Sequence, residues 1–86
     1  MELSSIPRLG AGCRLHPTQD VLLVPEGTLT LTGPAREILT RMDGKKSVGA
    51  VVTELLQAYD GADTQEMQED VLSLLRRLEA RGVVRV

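Results

Sequence analysis

The chain has 86 residues, a formal net charge of −2 and 42% hydrophobic residues. This length suits one domain, and no linker-like stretch divides it, so we expect a single domain over residues 1–86. The negative charge argues against a protein that holds nucleic acid by bulk electrostatics. The apolar stretches fall far short of the roughly 20 residues that span a bilayer, so no membrane anchor is predicted.

The cysteine and aromatic content indicate the cellular compartment and the composition of the core. The single cysteine, Cys13, has no internal disulfide partner, and the first residues lack the apolar run of a signal peptide. Both features favour the reducing cytoplasm. Tyr59 is the only aromatic residue, so the core must consist of Leu, Val, Ile and Met side chains. We expect residues 1–6 to be flexible.

Short β-prone runs separated by glycines and prolines fill the first third of the chain. Strands are predicted over residues 13–16, 21–24 and 28–32. The last run alternates threonine with leucine, which should turn its two leucines towards a core and its three threonines away. Pro25, Glu26 and Gly27 suit a tight hairpin turn, so the second and third strands should be antiparallel neighbours.

Helical spacing begins after Gly33 and continues almost to the end of the chain. Pro34 suits the first turn of a helix that should end near residues 43–44. Ser47 is a good N-cap for a second helix, which should end near residues 60–61 and whose apolar residues, from Val48 to Tyr59, recur at intervals of three and four.

A third helix and a last strand complete the predicted order. Asp63 or Thr64 should cap this helix at its start and Gly82 at its end. Residues 83–86 suit a short terminal strand. The fold class is therefore α+β: a three-stranded antiparallel β segment at the N-terminus, followed by three α-helices. This is the element content of a winged helix-turn-helix domain.

Catalytic and metal chemistry find little support in these residues. A zinc site needs several converging Cys, His or carboxylate ligands, whereas Cys13 and His16 are the only residues of their types. Strand alternation would place these two side chains on opposite faces, with no third group to orient a base. We therefore predict no enzyme activity, no metal and no cofactor.

The geometric feature with most promise is the third strand, beside the third helix. An exposed strand edge offers unpaired N–H and C=O groups to an extended peptide, whose side chains can enter an adjacent apolar groove. Leu72 lies off the core stripe of the third helix, where it either packs against a neighbouring element or lines such a groove. Wheel position favours packing, because singly exposed leucines are common.

With these segments placed, the chain resembles the PqqD family over nearly its whole length. The matching residues are Pro7-Arg8-Leu9, Gly12, Arg14-Leu15, Leu22 to Gly27 (LLVPEG), Ala35 to Gly44 (AREILTRMDG), Val52, Leu55-Leu56, Tyr59-Asp60-Gly61, Asp70-Val71, Leu74-Leu75, Leu78 and Gly82. The most specific element is Pro-Glu-Gly followed at a fixed distance by a helix that ends in Asp-Gly.

This resemblance implies a peptide chaperone of pyrroloquinoline quinone (PQQ) biosynthesis. Such a module recognises the ribosomally made precursor peptide PqqA and presents it to the radical SAM enzyme PqqE. In that family the peptide is held as an added strand between the third β segment and the third helix. The candidate peptide-binding residues are Leu29, Thr30, Leu31, Thr32, Asp70, Val71, Leu74 and Arg77. The leucines and Val71 have an equally ordinary interpretation as core residues.

Three alternatives stay open at this point. The module could serve another ribosomally made, modified peptide by the same mechanism. A DNA-binding winged helix is the second alternative, although the predicted second helix has no Lys or Arg. The third concerns assembly, since a free strand edge permits either a monomer or a domain-swapped dimer.

Overall fold

A computed structural model describes all 86 residues, Met1–Val86. The elements in chain order are β1 (Arg8–Leu9), β2 (Arg14–Leu15), β3 (Val21–Val24), β4 (Gly27–Thr30), α1 (Ala35–Thr40), α2 (Val48–Ala58), α3 (Thr64–Ala80) and β5 (Val84–Arg85). The predicted α+β class, with antiparallel strands at the front and three helices behind them, is confirmed. None of the helices is both long enough and apolar enough to cross a membrane.

A three-stranded antiparallel sheet in the order β2-β3-β4 forms the front of the molecule. Val24 pairs with Gly27, so Pro25 and Glu26 make the hairpin turn between β3 and β4, as predicted. Strand β4 begins at Gly27 and ends at Thr30, whereas residues 28–32 were predicted. The strand therefore begins one residue earlier and ends two residues earlier than predicted.

A second, two-stranded sheet joins the two ends of the chain, with β1 antiparallel to β5. The terminal strand was predicted, but its partner at Arg8–Leu9 was missed. Gly10 continues this pairing, because its N–H donates to the carbonyl oxygen of Val83 at 2.7 Å. A Cβ at this position would lie 2.9 Å from the carbonyl oxygen of Gly82, so only glycine allows the close approach.

Helix α1 is shorter than predicted, because it ends at Thr40 rather than near residues 43–44. Its last turn tightens: the N–H groups of Arg41 and Met42 bond to carbonyls three residues back. The Asp43 carboxylate then accepts the N–H groups of Lys45 (2.8 Å) and Lys46 (2.9 Å). These bonds fix a separate turn that leads into α2.

Side-chain caps start the two longer helices as predicted. Ser47 Oγ accepts the N–H of Ala50 at 3.1 Å, and Asp63 Oδ1 accepts that of Glu66 at 2.9 Å. Gly82 follows the C-cap of α3 with φ 77°, the left-handed conformation that ends many helices. Both α2 and α3 thus begin at or within one residue of the predicted positions.

The core lies where the sheet meets the three helices and contains only aliphatic side chains, as the composition predicted. Fully buried members include Leu22, Ile38, Leu39, Val48, Val51, Leu55, Val71, Leu75 and Val84. Leu72 is half-buried and packs against this cluster, which is the interpretation that wheel position favoured. Helix α2 ends at Ala58 rather than near residues 60–61, and Tyr59 is 43% exposed although its spacing matches the apolar stripe. It is the C-cap of α2 and has left the helical backbone conformation, which turns its ring out of the stripe.

The first six residues make specific contacts at the start of α2. The carbonyl oxygens of Ser5 and Leu3 accept the N–H groups of Val48 and Gly49, each at 2.8 Å. Arg76 on α3 donates to the carbonyl oxygen of Met1 at 3.0 Å. The structure therefore gives this segment a docking place on α2 and α3, and its flexibility stays a prediction.

Candidate functional site

Strand β4 is an edge strand, because it pairs with β3 on one side only. The N–H of Leu31 donates to the carbonyl oxygen of Asp20 at 2.8 Å, and Leu22 is the partner of Leu29. Bonding and non-bonding positions alternate along an antiparallel ladder, so Thr28 and Thr30 direct their backbone N–H and C=O groups away from β3. The outer edge of β4 is free to accept another strand.

The hydrogen bonding between β3 and β2 confirms this alternation of bonding and non-bonding positions. The N–H of His16 donates to the carbonyl oxygen of Val21 at 2.9 Å. Val21 is the β3 partner of Thr30, and its carbonyl therefore faces β2 rather than β4. The main-chain groups of Thr30 have no ladder partner.

Side chains along β4 alternate as predicted. Leu29 is half-buried and Leu31, just beyond the strand, is 7% exposed, whereas Thr28, Thr30 and Thr32 are exposed. The two leucines anchor the strand to the core, which fixes the free edge in position beside α3.

A groove of about 420 Å³ lies between this edge and α3. We call it the β4–α3 groove; its lining residues are Leu29, Thr30, Leu31, Thr32, Ala35, Leu74, Arg77, Leu78, Ala80 and Arg81. It combines a strand edge with an apolar floor, which is the arrangement that strand-addition sites use to bind extended peptides. Two arginines also line it.

Two smaller depressions continue the groove at its ends. One of about 330 Å³ brings Thr32 beside Asp70 and Ser73, near the start of α3. The other, also about 330 Å³, brings Thr28 and Leu29 beside Arg81, near its end. Strand β4 and helix α3 therefore run in opposite directions along one continuous channel.

Seven of the eight candidate residues line this channel. Leu29, Thr30, Leu31, Thr32, Leu74 and Arg77 line the groove itself, and Asp70 lines the depression at one end. Val71 does not reach it: its side chain is fully buried in the core beneath α3. Successive residues of a helix point in different directions, so Val71 can face the core although Asp70 before it is exposed. The spacing of Val71 fits the core face of α3 as well as it fits the groove.

Sequence reasoning missed Leu78, Ala80 and Arg81 as lining residues. The available signal was helical spacing, because Leu78 and Arg81 follow Leu74 by four and seven residues and so share its face.

Cys13 and His16 have structural roles in their own loops. His16 Nδ1 accepts the N–H groups of Thr18 and Gln19, both at 3.1 Å, and so caps the turn before β3. The half-buried Cys13 thiol lies 4.0 Å from the carbonyl oxygen of Ala11. No hydrogen bond joins the two side chains.

Comparison with known proteins identifies this arrangement. The family model of the coenzyme PQQ synthesis protein D, PqqD, matches residues 20–84. The chain belongs to the PqqD family. The resemblance seen in the sequence is thereby confirmed.

Relatives in this family are similar over nearly their full length. A protein named PqqA binding protein from Stutzerimonas stutzeri is 37% identical over 79 residues, which cover 87% of this chain and 84% of the relative. The protein of the same name from Pseudomonas aeruginosa is 37% identical over 83 residues, covering 92% and 88%.

A solved structure supports the fold of this PqqD-family chain directly. The solution NMR structure of the PqqD part of Methylobacterium extorquens PqqCD has a TM-score of 0.84 and 34% sequence identity, covering 99% of this chain and 94% of that one. That protein is described as a functional, stand-alone recognition element for ribosomally synthesized and post-translationally modified peptides (RiPPs).

Proposed function

We propose that this chain is a non-catalytic peptide chaperone of PQQ biosynthesis. It binds the ribosomal precursor peptide PqqA as an added strand and presents it to the radical SAM enzyme PqqE in the cytoplasm. The observation that carries the proposal is the free edge of β4 beside the β4–α3 groove. The names of the relatives and of the solved recognition element support the choice of client.

Main-chain pairing supplies part of the binding free energy. The outward N–H and C=O groups of Thr28 and Thr30 would bond to alternate residues of the client. Each such bond contributes about 0.5–1.5 kcal/mol net. Because these bonds use backbone atoms alone, they hold the peptide without reading its side chains.

Side-chain contacts supply specificity in this proposal. Leu29, Leu31 and Leu74 form the apolar floor, while Thr30, Thr32, Asp70 and Arg77 supply polar contacts at the rim and ends. Val71 supports the helix from below. No covalent step is required of any of these residues, because the client's chemistry takes place on the enzyme.

Presentation follows from simultaneous binding to peptide and enzyme. A chaperone that docks on PqqE while it holds PqqA converts a bimolecular encounter into an intramolecular one. The gain is an effective client concentration in the millimolar range for a short, flexible connection.

A calorimetric titration with a synthetic PqqA peptide tests the proposal. We expect saturable binding with a 1:1 ratio and a negative heat-capacity change, because the apolar groove is covered. Absence of binding at high micromolar PqqA, with PqqE present or absent, would contradict this client. Binding of a different precursor peptide in the same assay would retain the mechanism and replace PqqA.

A further inference from the structure

Arg77 and Arg81 are the charged residues of the β4–α3 groove, which contains no carboxylate. Both side chains are exposed, and neither forms a hydrogen bond or an ion pair within the chain. Arg36 and Arg41, by contrast, are held by Asp20 and by Glu37 with Glu54. The groove therefore carries two positive charges without an ion-pair partner, in a chain of net charge −2, and Asp70 is the carboxylate that shares the adjoining depression with Arg77.

The helix dipole explains only part of this placement. Cations near a helix C-terminus are stabilising wherever they lie around its circumference. Arg76 occupies the same last turns of α3, but its guanidinium turns to the other side and bonds to Met1. Arg77 and Arg81 both face the strand edge instead, together with the apolar Leu74 and Leu78.

The spacing of these arginines matches that of an added strand. Four residues of α-helix rise about 6 Å, so Arg77 and Arg81 lie one helical turn apart on one face. Alternate residues of a strand lie about 7 Å apart and point to the same side. Because α3 runs along β4, an added strand would bring alternate side chains opposite the two guanidinium groups.

We propose that the client segment held in the groove is acidic, with two carboxylates at alternate positions that pair with Arg77 and Arg81. This inference rests on the proposed strand addition and names the chemistry of its ligand. Guanidinium groups bind carboxylates in a bidentate geometry, and the neighbouring leucines limit the screening of the pairs by water.

Charge then fixes the register of the client. A shift by one residue would turn both carboxylates away from α3, and a shift by two would leave one arginine unpaired. At the opposite end, Asp70 would repel an acidic residue beside Thr32. The added strand is thereby held at one position, which main-chain pairing alone does not specify.

The test measures PqqA affinity for the wild-type chain, the R77Q/R81Q variant and an R14Q control. Arg14 is exposed on β2 and lines none of the three depressions. We expect the double variant to bind roughly 3- to 30-fold more weakly, as two partly screened ion pairs predict, and the control to bind normally. The affinity of the wild-type chain should also fall as the salt concentration rises from about 0.05 to about 0.5 M, and this measurement does not depend on a folded variant.

Peptide variants locate the partners. Each Asp and Glu of PqqA is replaced in turn by its amide, and two replacements, two residues apart, should weaken wild-type binding but leave that of the double variant unchanged. If wild type and double variant bind PqqA equally and without salt dependence, the acidic client is contradicted while strand addition stands. If the wild type does not bind at all, it is the proposed function that fails.

Discussion

The N–H of Leu31 donates to the carbonyl oxygen of Asp20 at 2.8 Å, and this one bond sets the phase of the whole edge strand. The backbone N–H and C=O groups of Leu29 and Leu31 therefore point towards β3, and those of Thr28 and Thr30 point away from it. A position on β4 can therefore be altered on its free side without breaking the pairing with β3.

Replacement of Thr30 with proline tests the free edge. Proline removes the outward N–H and leaves the β3 hydrogen bonds in place, so the fold should survive on this edge strand. We expect Thr30→Pro to lower PqqA affinity about 5-fold or more, since one main-chain bond is lost and the ring obstructs the added strand. Thr30→Val keeps the N–H and removes only the hydroxyl, so it should weaken binding less than Thr30→Pro does. Equal affinity for a folded Thr30→Pro variant would rule out pairing at this residue.

Leu74 and Leu72 form a matched pair for the groove floor. Both are half-buried on α3 and pack against the core, but only Leu74 lines the groove. Truncation to alanine should cost each variant about 1–3 kcal/mol of unfolding free energy, measured with urea. Only Leu74→Ala should also weaken PqqA binding. A similar loss of affinity in Leu72→Ala would show that the effect passes through stability.

Gly10 should be intolerant of any side chain. A Cβ there would meet the backbone of Gly82 at 2.9 Å and of Val83 at 3.3 Å, neither of which is free to rotate aside. We expect Gly10→Ala to destabilise the chain by about 1–3 kcal/mol. Gly49→Ala is the control: in α2 its Cβ finds ordinary contact distances, and alanine favours the helix by up to about 1 kcal/mol. Thermal unfolding that ranked the two variants in the opposite order would contradict the β1–β5 pairing.

Asp43 should titrate below its ordinary range. The N–H groups of Lys45 and Lys46 hydrogen-bond its carboxylate and hold its pKa below the usual 3.8. Because the folded pKa is lowered, this carboxylate stabilises the fold above about pH 3.8, and the contribution is lost as pH falls through the folded pKa. NMR titration of the side chain should give a midpoint below 3.8 in the folded chain and the ordinary value in urea. Equal midpoints would contradict the turn at residues 43–46.

Local patterns were sufficient to predict α2, α3, their caps and the β3–β4 hairpin. Each depends on residues within a few positions of one another, such as Ser47 with Ala50. The pairing of β1 with β5 joins residues at opposite ends of the chain, and two-residue strands carry no periodicity of their own. The same limit applies to Val71, because the helix pattern does not tell a core contact from a groove contact.

The strand and its two faces were predictable from the alternation of residues 28–32, but the width and charge of the groove were not. Those depend on how α3 lies against β4, which brings Arg81 beside Leu29. Tyr59 shows the converse case. Its spacing matched the buried stripe of α2, and only the end of the helix at Ala58 turned it outwards.

Amide hydrogen exchange of β4, measured by NMR with and without saturating PqqA, tests strand addition most directly. In the free chain Leu29 and Leu31 should already be protected, whereas Thr28 and Thr30 should exchange rapidly because their N–H groups lack partners. With PqqA bound, we expect exchange at Thr28 and Thr30 to slow by at least about tenfold, while Leu29 and Leu31 change little. Rapid exchange at both threonines in the saturated complex would show that the peptide does not pair with β4.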